Sequence, residues 1–124
     1  MWLPKNEDIE NYLLLAELLA AQKKEFDALS KKKSDGQLNL MKIKMVNRVL
    51  EPLNALFKNE PSHSYLDILN EDDLPTNSDV VLIISQYKTA IKNFREKYYV
   101  QDEGELDFFD DESGHWHTEE APED

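Results

Sequence analysis

The chain has 124 residues, no cysteine and a formal net charge of −12. Its length predicts a single domain, and the absence of cysteine excludes a disulfide framework and a cysteine-based zinc site. No stretch approaches the roughly 18 apolar residues of a membrane span, and the N-terminus lacks the basic and apolar regions of a signal peptide. We therefore expect a cytoplasmic protein without a membrane partner, since a chain without cysteine suits a reducing compartment.

The negative charge is concentrated at one end of the chain. Residues 1–101 contain 15 acids and 14 Lys or Arg, a balance of −1, whereas residues 102–124 contain 11 acids and no Lys or Arg. A neutral body with an anionic tail differs from a uniformly acidic domain. We expect a helical bundle domain over 1–100 and an acidic, aromatic-containing and mostly irregular tail over 101–124.

The first helix is predicted from about Glu7 to Lys32, with Asn6 as its N-cap. Residues Leu14, Leu18 and Ala21 fall outside its main apolar stripe, so the middle of this helix is apolar almost all round. Such a helix is either central among its neighbours or packed against a second chain. These three residues are therefore a candidate face for a partner or a homodimer. The predicted stripe comprises Ile9, Tyr12, Leu13, Ala16, Leu19 and Ala20, with Leu15 and Phe26 at its edge.

The second helix is predicted from near Leu38 to Lys58, after a turn at 34–36. Pro52 lies inside it and predicts a kink or break, because proline removes a backbone donor and clashes with the preceding turn. The segment also begins with strand-like alternation, but its helical periodicity continues further. Its predicted inward stripe comprises Met41, Met45, Val46, Val49, Leu50, Leu53, Leu56 and Phe57.

A short helix is predicted from His63 to Leu69, with Tyr65, Leu66 and Leu69 pointing inward. The polar stretch 70–77 that follows is predicted to be a loop with Leu74 as its anchor.

The last long helix is predicted to start at Ser78 or Asp79 and to end near Tyr99, with the clearest amphipathic pattern in the chain. Together these elements predict an all-α fold, a small antiparallel helical bundle of three long helices and one short helix. The apolar positions of the last helix are Val80, Ile83, Ile84, Tyr87, Ala90, Ile91, Phe94 and Tyr98.

The tail combines aromatic residues with carboxylates. Rings that fill pockets and acids that steer toward a basic surface are typical of segments that bind a protein partner. The alternative is that the aromatic residues fold back on basic residues of the last helix, Lys88, Lys92, Arg95 and Lys97. A hairpin that pairs 106–109 with 115–118 is a further alternative. The predicted partner-binding residues of the tail are Leu106, Phe108, Phe109, Asp110, Asp111 and Trp116.

No catalytic site is predicted. The three glycines lie far apart, which excludes a phosphate-binding loop, and His63 between two serines is expected to be a surface residue. His115 and His117 point to the same side of an extended segment and are the candidates for a metal ion, but no spacing fixes a third ligand. We expect no cofactor.

One basic patch surrounds the first turn and the start of the second helix. We interpret it as helix ends and a solvated face, so no direct nucleic-acid binding is expected. The patch comprises Lys31, Lys32, Lys33, Lys42, Lys44 and Arg48.

These observations favour a non-enzymatic adaptor or regulatory protein whose helical body docks on a protein partner, with the acidic tail as an additional contact. The first alternative is an acidic, antitoxin-like inhibitor whose tail carboxylates compete for a nucleic-acid-binding surface. The second alternative is a metal-binding protein that uses the tail histidines.

Overall fold

The computed structural model describes residues 2–101 and 114–119. The described chain is mostly helical, with three α-helices, one 3₁₀ helix and one small sheet of two strands. This agrees with the expected helical class in its coarse form. The elements are α1 (Asn6–Lys32), α2 (Leu40–Leu56), the 3₁₀ helix (Pro61–Tyr65), α3 (Asn77–Tyr98), β1 (Tyr99–Gln101) and β2 (Gly114–Trp116).

Helix α1 begins one residue earlier than expected, and its N-cap is Lys5 rather than Asn6. The Lys5 backbone N–H donates to Asp8 Oδ2 at 2.8 Å, so an aspartate in the first turn satisfies the helix start. Lys31 and Lys32 lie in the last turn, where they favour the negative end of the helix dipole.

The buried side of α1 differs from the predicted stripe. Leu13 is 46% exposed and Ala20 is exposed, so their predicted inward positions are wrong. Leu15 and Phe26, which were predicted at the edge, are buried. The physical reason is that α1 packs against both α2 and α3, and α2 covers the side that carries Leu15 and Phe26.

Helix α2 runs back along α1, because Leu15 of α1 lies near Leu56 while Phe26 lies near Val46. It is a single helix that contains Pro52, and the Asn39 side chain caps it by accepting from the Lys42 N–H at 2.9 Å. The prediction that Met41 and Met45 point inward is wrong, since their exposed fractions are 71% and 53%. The buried positions of α2 are Ile43, Val46, Asn47, Val49, Leu50 and Leu53.

The predicted short helix is a 3₁₀ helix that ends at Tyr65, and Tyr65 is exposed rather than inward. Leu66 and Leu69 follow it in non-helical backbone and are buried, as predicted. Leu74 does not anchor the next loop, because its side chain is 51% exposed and its φ is 48°. The anchor is Pro75, which is buried and whose carbonyl accepts from the Leu38 N–H at 2.9 Å.

Helix α3 starts with a reciprocal cap, which places its first residue at Asn77. The Asp79 N–H donates to Thr76 Oγ1 at 3.2 Å, and the Thr76 N–H donates to Asp79 Oδ2 at 2.9 Å. Its amphipathic pattern is confirmed: the buried residues are Val80, Ile84, Tyr87, Ala90, Phe94 and Tyr98.

An aromatic cluster joins the three helices. The Phe94 ring lies 4.9 Å from that of Tyr12 on α1 and 5.4 Å from that of Phe57, directly after α2. The Tyr12 hydroxyl donates to the Ile91 carbonyl at 2.8 Å. Burial raises the pKa of Tyr12 to about 12, and the nearby Arg95 charge opposes that shift.

Strands β1 and β2 are antiparallel, with Tyr99 opposite Trp116 and Gln101 opposite Gly114. The described end of the tail therefore packs on the helical body. Its strand partner is 99–101, and the strand predicted at 106–109 lies outside the described residues. A Cβ at Gly114 would lie 2.6 Å from the Tyr99 ring, so a larger residue there would make that ring shift.

Candidate interaction surface

Three apolar side chains of α1 form a ridge that no other described element covers. Leu14 is 56% exposed, Leu18 is 45% exposed, and Ala21 is also exposed. Residues spaced by four and three along a helix lie above one another on one side. These are the three residues that the sequence indicated as a face for a partner or a second copy.

Helix α2 continues this surface. Ala21 and Met45 line one groove of about 310 Å³ between the helices, and Leu14 lines another of about 430 Å³ with Leu56. Met41 and Met45 line a neighbouring depression on α2. The exposed apolar residues thus extend along both helices. We call this surface the α1–α2 face and define it by Leu14, Leu18, Ala21, Met41 and Met45.

The chemistry of the α1–α2 face is that of a docking surface. Contiguous apolar patches on a surface mark interaction sites, and methionine adapts its shape to a partner. Gln22 lies in the groove beside Met45 and donates to the Met45 carbonyl at 3.2 Å. Its Oε1 is buried and, within the described part of the chain, accepts no hydrogen bond. A buried acceptor without a donor is costly to the fold of the single chain.

Charges of opposite sign lie on the two sides of the α1–α2 face. The α1 side contributes Asp8 and Glu25 to the grooves, whereas the α2 side contributes Lys42, Lys44 and Arg48. The three basic residues belong to the basic patch found in the sequence. The structure therefore brings half of that patch to the edge of an apolar surface.

Of the predicted partner-binding residues of the tail, Trp116 is the one that the structure describes. Its ring centroid lies 5.2 Å from those of Tyr12 and Tyr99, and Arg95 lies over the Trp116 ring at 5.9 Å. Backbone bonds hold the same segment, since the His117 N–H donates to the Tyr98 carbonyl at 2.7 Å. Trp116 is therefore half-buried against α1 and α3. The other predicted tail residues, Leu106, Phe108, Phe109, Asp110 and Asp111, lie outside the described residues.

The strand pair fixes where the acidic segment leaves and rejoins the body. Gln101 and Gly114 are paired across the sheet, so the two ends of 102–113 are held side by side. That segment, which we call the acidic segment, contains seven acids and no Lys or Arg. The residues that flank the acidic segment therefore lie next to each other near the carboxyl end of α3.

The histidines take different positions. His115 and His117 are exposed, and residues 2–101 and 114–119 contain no group of three or more metal-binding side chains. His63 is half-buried, contrary to its expected surface position, and its Nε2 lies 3.0 Å from Asn54 Oδ1. The Asn54 side chain on α2 also donates to the Leu66 carbonyl. Asn54 therefore holds both His63 and the end of the 3₁₀ helix against α2.

The sequence did not indicate the role of Glu60. Its carboxylate is buried, accepts from the Tyr98 hydroxyl at 2.8 Å and lies 3.4 Å from Lys97 Nζ. Burial, followed by the bond to Glu60, raises the pKa of Tyr98; the bond with Tyr98 raises the pKa of Lys97. The partners are far apart in sequence, so no local motif marks the cluster. It fastens the start of the 3₁₀ helix to α3.

None of the described helices combines the length and apolar character needed to cross a bilayer. No protein-family model, no curated protein and no solved structure matches this chain.

Proposed function

We propose that this protein acts by binding another protein rather than by catalysis. The α1–α2 face is the docking surface, and the acidic segment is an additional contact. The proposal includes a cytoplasmic location, which the lack of cysteine supports, and a body that forms a small antiparallel bundle. The observation that carries the proposal is the row of exposed apolar side chains, Leu14, Leu18, Met41 and Met45.

The contrast with α3 supports a docking role. Helix α3 places its large apolar side chains in the core, apart from Leu82. Helix α1 exposes Leu14 and Leu18 although it already contacts both other helices. Exposed leucines on neighbouring turns gain nothing from the fold of a single chain, whereas covering them on binding removes apolar surface from water.

The test compares two leucine variants as bait in extracts of the native host. Leu18→Glu places a charge on the α1–α2 face, and Leu82→Glu places the same charge on an exposed leucine of α3. We expect Leu18→Glu to lose a partner that the wild type and Leu82→Glu retain, with purified proteins then confirming direct binding. Identical partners and yields for all three baits would contradict the proposal.

The contribution of the acidic segment needs its own variants. Deletion of 102–124 would also remove Trp116, which packs on Tyr12 and Tyr99. Neutralising Asp110→Asn and Asp111→Asn leaves these contacts in place. We expect weaker binding that depends less on salt, because fewer carboxylates then steer the partner. Unchanged affinity and unchanged salt dependence would remove the segment from the proposal.

A second candidate function is competition for a cationic, nucleic-acid-binding surface. The observation that favours it is the composition of the acidic segment, which contains seven acids and no Lys or Arg. Such a ligand occupies positions that phosphates take, and its affinity falls steeply with added salt. Displacement of the bound partner by a DNA duplex would support this function, and indifference to the duplex would exclude it.

A further inference from the structure

We propose that a second copy of this chain covers the α1–α2 face, in a two-fold dimer in which α1 of each copy lies over α2 of the other. The inference rests on the proposed function, because it names the occupant of the docking surface. Most soluble oligomers are symmetric homo-oligomers, and a two-fold interface requires a surface that is complementary to itself. The charges of the face meet that requirement.

The charge pattern is complementary to its own reversed image. The α1 side carries Asp8 and Glu25 in its grooves, with Glu17 exposed between Leu14 and Ala21. The charged residues that α2 contributes to these grooves and to the adjoining depression are all basic. A two-fold axis parallel to the helices places the acidic side of each copy over the basic side of the other. The basic residues are Lys42, Lys44 and Arg48.

The alternative stacking of α1 on α1 is disfavoured by the same charges. It would bring Glu17 and Glu25 of both copies together, and like charges facing each other oppose association. Lys24 and Glu51 depart from the division by sign. Like Glu17, they line neither the grooves nor the depression, so the division rests on the charged residues that do line them. The charge pattern therefore selects the arrangement with α1 over α2 of the second copy.

The size of the face predicts a dimer of modest affinity. Helix α2 has 17 residues and is about 25 Å long, and two adjacent helices are about 20 Å wide. The flat footprint of roughly 500 Å² per copy is smaller than the roughly 800 Å² of a standard interface. We therefore expect a dissociation constant in the micromolar range.

The experiment measures the mass of the full chain by sedimentation equilibrium over a wide range of concentrations. The wild type is expected to approach twice its 14.5 kDa chain mass as concentration rises. Leu14→Glu is expected to weaken association by about 100-fold or more, because symmetry places the buried charge in the interface twice. Leu82→Glu is the matched control and is expected to dimerise as the wild type does. Circular dichroism confirms folding, since both leucines are exposed in the single chain.

Charge exchange tests the arrangement itself. One variant carries Glu17→Lys and Glu25→Lys, and the other carries Lys44→Glu and Arg48→Glu. Each variant alone is expected to form homodimers at least about tenfold more weakly than the wild type, because both sides of its α1–α2 face then carry charges of the same sign. Their mixture is expected to restore association as a heterodimer. Failure of the mixture to associate would overturn the proposed stacking.

A wild type that stays at 14.5 kDa throughout, or equal losses in Leu14→Glu and Leu82→Glu, would overturn the proposal of a second copy. These results distinguish a failure of the dimer proposal from a failure of the proposed function. If the wild type is a monomer and Leu18→Glu abolishes its binding to a different protein, the α1–α2 face is a docking surface for that protein. A dimer that captures no other protein supports the second copy and limits the proposed function to self-association.

Discussion

The Asn47 side chain offers the sharpest test of how the loop after the 3₁₀ helix is held. Its amide nitrogen donates to the Leu69 carbonyl at 2.9 Å, and its Oδ1 accepts from the Leu69 N–H at 3.0 Å. Both bonds are buried, and Asn47 is only 7% exposed. Asn47→Ala therefore leaves a buried donor and a buried acceptor of Leu69 without partners.

Each buried backbone group without a partner costs about 1–3 kcal/mol, so the two predict a loss of about 2–6 kcal/mol in the free energy of unfolding. That loss is a large part of the stability of a small domain. Urea denaturation followed by circular dichroism measures it, and faster exchange of the Leu69 amide proton locates it. Asn93→Ala is the control, because Asn93 is exposed on α3. A cost below about 0.5 kcal/mol for Asn47→Ala would refute the reasoning.

Three further predictions concern the aromatic cluster and the start of α3. Tyrosine in the unfolded chain ionises near pH 10, whereas burial raises the pKa of Tyr12 to about 12. The unfolded state therefore loses this proton first as the pH rises. The contribution of Tyr12 to the free energy of unfolding is complete below pH 10 and falls by at most about 2.7 kcal/mol by pH 12. Urea midpoints across that range should fall less in Tyr12→Phe, and an equal fall in both proteins would contradict this assignment. Trp116→Ala should cost about 2 kcal/mol and speed exchange of the His117 amide; unchanged exchange would show that the ring does not hold the segment. Thr76→Ala removes the acceptor for the Asp79 N–H and should lower the free energy of unfolding by about 1 kcal/mol, whereas a neutral effect on the urea midpoint would argue against the cap.

The sequence predicted the positions of the helices along the chain better than it predicted which side of each helix faces the core. In α3 most apolar positions lie on one side, with Leu82 as the exposed exception, so periodicity alone identified Val80, Tyr87 and Phe94 as core residues. In α1 nearly every side is apolar, so the pattern could not choose between Leu13 and Leu15. Packing against α2 made that choice, and it buried Leu15.

The candidate site was predictable in part. Leu14, Leu18 and Ala21 stood out because they lay outside the main stripe, and they are exposed. The contribution of Met41 and Met45 was missed, since methionine fits a core and a docking surface equally well. The pairing of β1 with β2 could not be predicted from local pattern, because the acidic segment separates two short strands that gain their stability from packing.

The paired strands have a consequence for how the acidic segment tolerates changes in length. Gln101 and Gly114 close the chain on itself, and the contacts of Trp116 on the body hold that closure. When the two ends of a connection are fixed together, each doubling of its length costs only about 0.6 kcal/mol of closure entropy. Insertions between 102 and 113 should therefore leave the body folded. The segment is therefore a suitable place to insert a foreign peptide, because the helical body should stay folded and unchanged.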